Sequence, residues 1–265
     1  MIARRFWVAL QFMTRLPTPR ISNWRDDEMA RAAPLVALTG AVVGAVVGCV
    51  FAGMLTLAPP IIAALAGLLA WIWVTGALHL DGLGDTTDGL AATHAASGAT
   101  RRKDPTRFLE IARSPTAGPF AIVAVSFVLV AKAALLVACP PPGASALQTV
   151  FAITLVGFWA RWIALLAAHA LPSLGDGRGA SVRSGLSWSS LLGQAAVACV
   201  ISLVFAPAIA IAAPLLAVVA WAYWRRALGG MNGDTLGATI EACEVALLAV
   251  FLAAPHAPIA AWIFG

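Results

Sequence analysis

Seven long apolar stretches constrain this chain more than any other feature: 34–57, 60–79, 119–138, 147–168, 191–206, 208–224 and 242–264. A helix rising 1.5 Å per residue needs about 20 apolar residues to cross a hydrocarbon layer roughly 30 Å thick. Backbone N–H and C=O groups find no partner in lipid, so such segments must satisfy them internally, as helices do. Composition agrees, since 61% of residues are apolar and 11% charged, against about a quarter charged in soluble domains. The sequence therefore predicts an all-α, polytopic transmembrane bundle of about seven spans. The count is six to seven, because the short fifth and sixth stretches meet at Pro207 and read either as a hairpin or as one kinked element. No internal repeat or shift of composition divides the chain, so residues 1–265 read as a single integral membrane domain.

Charge sets the orientation. With the N-terminus in the cytoplasm, 15 of the 17 Lys and Arg residues fall on inner segments, the other two being Lys132 and Arg161. That is the positive-inside asymmetry. Lys132, near the outer end of the third stretch, is expected to snorkel. The net charge of +5 then reports topology and attraction to anionic headgroups, with no nucleic acid partner. Inside lie an N-terminal interfacial helix within 1–33 and two polar loops, 79–118 and 225–241. On the N-terminal helix, Ile2, Phe6, Ala9, Leu10, Met13 and Leu16 share a face opposite Arg4, Arg5, Gln11 and Arg15. Cys49, Cys139, Cys199 and Cys243 are scattered and suggest neither disulfides nor a zinc site. Gly40, Gly44 and Gly48 form a stripe for close helix approach, or for a ligand path beside it.

Asp81, Asp85 and Asp88 recur at i, i+4 and i+7, which places three carboxylates on one face if the second helix continues past the membrane. Like charges so spaced repel and call for a cation. Oxygen ligands suit Mg²⁺, which keeps waters and substrate phosphates in its octahedron. A solvated helix cap is the plainer alternative, but the cluster follows a helix C-terminus, where the dipole disfavours negative charge. Asp234, Glu241 and Glu244 repeat the theme, the last inside an apolar stretch, where it is either functional or paired with Arg161 or Arg225. Asn232 and Thr235, in a loop with Gly229, Gly230, Gly233 and Gly237, offer polar ligands and a backbone that can approach phosphate. Arg107, Arg113 and Ser114 are expected to bind phosphate, whereas Arg101, Arg102 and Lys103 read as positive-inside charge. Arg161 lies within a span and needs an anionic partner. His79 adjoins the aspartates as a hydrogen-bond donor, acid or base; His94, His169 and His256 have no such neighbours.

The run His79-Leu-Asp-Gly-Leu-Gly-Asp-Thr-Thr-Asp-Gly89 closely resembles the signature of the cobalamin synthase family, the adenosylcobinamide-GDP ribazoletransferases. Leu10-Gln-Phe-Met-Thr-Arg-Leu-Pro17, Leu109-Glu-Ile-Ala-Arg-Ser-Pro-Thr-Ala-Gly118 and the Gly229 to Gly237 loop resemble its other conserved stretches, in order and over nearly the whole chain. One departure is Pro115, which stands where the family usually has Arg, leaving Arg113 to supply the charge. The resemblance implies the last assembly step of coenzyme B12. A hydroxyl of α-ribazole, or of its 5′-phosphate, attacks the cobinamide-bound phosphate of adenosylcobinamide-GDP, and GMP leaves. It further implies Mg²⁺ on Asp81, Asp85 and Asp88, with Asp234 as a fourth ligand or as base, and phosphates held by Arg107, Arg113 and Arg161. The enzyme would lie in the bacterial inner membrane with its active site facing the cytoplasm. A homo-oligomer is left open.

Two rivals differ in expected marks. A lipid-type phosphoalcohol transferase would prefer a cytidine nucleotide donor. A secondary transporter would show ionisable groups near the bilayer midplane, pseudo-symmetry and broken helices.

Overall fold

The computed structural model describes residues 2–97, 104–176 and 178–255. The expectations for Arg101, Arg102, Lys103, His256, the His94 side chain and the end of the last apolar stretch lie outside what is described. Among the described residues twelve α-helices follow in order: α1 (Ile2–Met13), α2 (Glu28–Ala32), α3 (Val36–Leu55), α4 (Pro60–Thr75), α5 (Leu78–Ser97), α6 (Pro105–Ala112), α7 (Pro119–Val137), α8 (Ala146–Ala170), α9 (Arg178–Ser184), α10 (Trp188–Phe205), α11 (Pro207–Ala227) and α12 (Gly233–Ala253). Among the described residues there is no strand, only a single parallel bridge between Ser173 and Met231. Six helices are long and apolar enough to cross a membrane, or seven if the bent pair α4–α5 forms one span. The chain is thus an all-α, polytopic membrane protein.

α8 is the axis of the bundle. It is apolar on all sides and buried on nearly all of them, from Gln148 to Ala168, as expected for a helix surrounded by others. The glycine stripe is structural. A Cβ on Gly40 would stand 2.1 Å from the Gly157 carbonyl oxygen, and one on Gly44 2.3 Å from that of Ile153, so α3 and α8 pack backbone to backbone. Helices α7, α10 and α11 lie outside and expose Phe127, Val200 and Val218, an apolar surface suited to lipid. α10 and α11 are separate helices meeting at Ala206, where Pro207 opens the second as a residue without N–H can.

The second apolar stretch departs from the expected straight helix. α4 ends at Thr75, Gly76 and Ala77 both take φ of 60°, and α5 leaves at 84° to α4. α5 therefore runs across the polar end of the bundle, outside the spanning segments. Left-handed backbone costs a Cβ-bearing residue energy, so something must hold Ala77 there. The N-terminal arm does so: Arg15 N–H donates to the Val74 carbonyl at 2.8 Å, and the Arg15 side chain lies over Gly76, where a Cβ would meet its Nε at 2.4 Å. α1 differs from an expected purely interfacial helix. Val8, Ala9, Leu10 and Met13 are buried by the protein itself, with α1 packed on α2 and α3.

Candidate active site

The polar ends of the helices meet around one cavity of about 360 Å³. It opens between the start of α5, the end of α6, residues 173–175, α9 and the start of α12, and it reaches α1, α3 and α8. Close packing at glycines brings α5 and α12 together. A Cβ on Gly82 would stand 2.9 Å from the Asp234 carbonyl oxygen, and one on Gly237 3.1 Å from that of His79. Asp81 and Asp234 consequently share the cavity wall.

The N-terminus of α12 is fixed by a reciprocal cap. The Asn232 side chain accepts from Thr235 N–H at 3.0 Å, and Thr235 Oγ1 accepts from Asn232 N–H at 2.8 Å. Asn232 Nδ2 also donates to Asp234 Oδ2 at 2.8 Å, which orients that carboxylate and leaves Oδ1 for another partner. Thr235 is fully buried and does not line the cavity; it shapes the loop, in place of the substrate contact expected of it. The backbone exchange between 172–174 and 229–231, Leu174 N–H to Met231 O at 2.9 Å and Met231 N–H to Pro172 O at 3.0 Å, joins the two loops at the mouth. Ser173, Gly175 and Gly179 line the cavity there; the glycines at 175, 177 and 179 were the sequence signal for a site loop that spacing arguments passed over.

The three aspartates of α5 have different fates. Because the helix is new rather than continuous, Asp81 sits in its first turn, where the dipole favours negative charge; the argument from an unfavourable C-terminus does not apply. Asp85 is half-buried, and burial, then the charges of Asp81, Asp234 and Asp88, push its carboxyl up to about 6. Asp88 departs from the expected free metal ligand. Its carboxylate accepts Gly118 N–H at 2.5 Å and Ala121 N–H at 3.0 Å, capping the start of α7. Among the described residues no three His, Cys, Asp or Glu side chains converge as a ready metal site.

Of the basic residues, Arg113 lines the cavity and lies within electrostatic reach of Asp234. Arg107 is exposed on α6, pairing with Glu110 at 3.0 Å, and Ser114 Oγ meets Thr116 Oγ1 at 3.0 Å at the surface; neither lines the cavity. Arg161 borders the cavity floor but is 1% exposed, with Nη1 donating to Glu244 and to the Gly157 carbonyl at 3.3 Å, and Nη2 facing His79 Nδ1 at 3.3 Å. A guanidinium only donates, so His79 Nδ1 accepts and the ring proton sits on Nε2. Glu244 also accepts from Lys132, whose ammonium donates to Glu241 at 2.6 Å and stands 4.4 Å from the centre of the Trp71 ring. Lys132 is 2% exposed, so it does not snorkel, and Glu244 takes Arg161, not Arg225, as its partner.

A family model described as cobalamin-5-phosphate synthase matches residues 5–252. Relatives named adenosylcobinamide-GDP ribazoletransferase are similar over nearly their full lengths. The one from Thiobacillus denitrificans is 37% identical over 91% of this chain and 92% of its own. That from Laribacter hongkongensis is 36% identical over 97% and 100%, and that from Novosphingobium aromaticivorans 39% over 92% and 94%. No solved structure matches.

Proposed function

The chain belongs to the cobalamin-5-phosphate synthase family, and on that premise we propose that it is an adenosylcobinamide-GDP ribazoletransferase of the bacterial inner membrane, working at the cytoplasmic face. The observation that carries this reading is the cavity wall shared by Asp81, Asp234 and Arg113, carboxylates and a guanidinium set where a small alcohol and a pyrophosphate could meet. In the reaction, a ribazole hydroxyl oxygen bonds to the cobinamide-side phosphorus of adenosylcobinamide-GDP. The pyrophosphate P–O bond breaks, and GMP leaves with its electron pair. The hydroxyl proton passes to a nearby carboxylate, for which Asp234 Oδ1 is suitably free. Phosphoryl transfer asks the protein mainly for positioning and charge neutralisation.

The donor set fits Mg²⁺. Asp85 is held near 6 partly by the repulsion of Asp81 and Asp234, a repulsion that a divalent cation would relieve, and Mg²⁺ is usually bound by one or two carboxylates plus waters and phosphates. Asp81 and Asp234, the two carboxylates on the cavity wall, would hold it, with Asp85 close enough to feel both charges. When bound, it would neutralise charge on the pyrophosphate oxygens. Arg113 would hold a phosphate bidentately. Asp88 and Asn232 keep α7 and Asp234 in place. Arg161 and His79 are held together beneath the site.

Purified protein incubated with adenosylcobinamide-GDP, α-ribazole or its 5′-phosphate and Mg²⁺ should give GMP and a cobalamin product in equal amounts, and EDTA should abolish both. Absence of product from folded protein, with turnover of a cytidine diphosphate-linked donor instead, would overturn the reading in favour of a phosphoalcohol transferase.

A further inference from the structure

We propose that the apolar floor of the cavity is the subsite for the aromatic base of the nucleoside substrate, while the corrinoid nucleotide stays at the mouth. This rests on the transferase reading and adds to it a site for one half of one substrate. On α12 the lining residues Gly233, Asp234, Leu236, Gly237 and Ile240 span eight residues on one face, so the cavity extends about 10 Å along the helix from its polar end. Its lining changes with burial: Asp81, Arg113, Asn232 and Asp234 are exposed or partly exposed, whereas Met13, Val36, Leu165, Val182 and Ile240 are buried. A nucleoside has the same polarity gradient, with ribose hydroxyls at one end and a flat heterocycle at the other.

Size separates the two substrates. At about 360 Å³ the cavity is at the small end for ligand pockets. A corrin macrocycle carrying an adenosyl group and a GDP tail exceeds it several-fold; a bicyclic base does not. With the base on the floor, the ribose would lie at the level of Asp234, beside the carboxylate proposed to take the hydroxyl proton.

The floor also discriminates between a heterocycle and a lipid acyl chain. Arg161 and His79 line it, and Arg161 Nε and His79 Nε2 are buried without a hydrogen-bond partner among the described residues. His79 Nε2 carries a proton because Nδ1 faces the Arg161 guanidinium. An unpaired buried donor is costly. A ring nitrogen with a lone pair can satisfy one of these donors, and an acyl chain can satisfy neither. Met13 adds a thioether, which packs well against aromatic edges.

The test measures kcat/KM for α-ribosides of benzimidazole and 5,6-dimethylbenzimidazole at saturating adenosylcobinamide-GDP. Ile240→Phe should lower the value for the dimethylated base relative to the unsubstituted one by about tenfold, as expected for methyl groups crowded in an apolar pocket, and Leu165→Ala should shift the ratio the other way. In the unsubstituted protein, the α-riboside of indole, which has the same shape but lacks the acceptor nitrogen, should be about tenfold poorer than that of benzimidazole. Unchanged ratios, equal values for indole and benzimidazole, or a rise confined to the KM of the corrinoid nucleotide would each overturn the subsite. Failure of the wild-type protein to form product from any nucleoside would instead overturn the transferase reading.

Discussion

At the scale of single residues, the cavity wall is defined by the side chains that two different helices and the end of a third bring to it. Asp81 and Asp234 meet in one wall, with Arg113 beside them. Partners brought together across 109 residues, such as Lys132 and Glu241, leave no trace in local spacing, so Lys132 read as a snorkelling lysine. Two arginines six residues apart, one on α6 and one at its C-terminal end, make the distinction testable. Arg113→Gln should cut kcat/KM by about 10², the loss of a phosphate-binding donor, whereas Arg107→Gln, which only removes an exposed pair with Glu110, should change it less than about threefold. Asp85 offers a pH test. A carboxyl raised by folding from 3.8 to about 6 binds its proton more tightly folded than unfolded, so stability present at low pH is lost as pH rises through that window. In EDTA at pH 8, Asp85→Asn should therefore melt a few degrees above wild type by scanning fluorimetry, with the margin shrinking as pH falls from 6 towards 4. The same substitution should abolish most transferase activity, the usual exchange of stability for function at a site.

At the scale of elements, the glycine stripe was legible and the break in the second helix was not. Four-residue spacing in α3 marks a face, but the turn at Gly76 and Ala77 is set by Arg15 from a distant arm and sits inside an unbroken apolar run without proline. Hydropathy has no term for direction, so it could not show α5 turning across the bundle. The stripe predicts opposite signs for one substitution in one helix. A methyl on Gly44 meets the backbone of α8 at 2.3 and 2.7 Å, whereas one on Gly53 meets nothing within 4 Å. Gly44→Ala should destabilise by about 1–3 kcal/mol through overpacking, while Gly53→Ala should be neutral or stabilising by up to about 1 kcal/mol through helix propensity. Equal effects in a denaturant titration of detergent-solubilised protein would show that the close approach of α3 and α8 is not energetically important.

At the scale of the whole molecule, the buried ion cluster lies eight to thirteen residues from the polar ends of its helices, about 12–20 Å down. It joins Lys132 of α7, Glu241 and Glu244 of α12 and Arg161 of α8, and through His79 it reaches α5. Ionisable groups at that depth, together with a broken helix, are marks the sequence reading reserved for a transporter. Here the two cations and two anions balance, and all four are at most 3% exposed. Such a cluster behaves as one unit, because removing one member leaves an uncompensated charge in a medium that cannot solvate it, at about 3–5 kcal/mol. Lys132→Met leaves two carboxylates facing Arg161 alone and should incur that cost. Adding Glu241→Gln restores a one-to-one balance between Arg161 and Glu244, so the double variant should be more stable than Lys132→Met by itself. Simple addition of the two single-variant losses in a thermodynamic cycle would mean that the four charges act independently. A coupling above about 1 kcal/mol would mean that the bundle's core specifies which helix faces meet, and so where α5 and α12 bring Asp81 and Asp234 together.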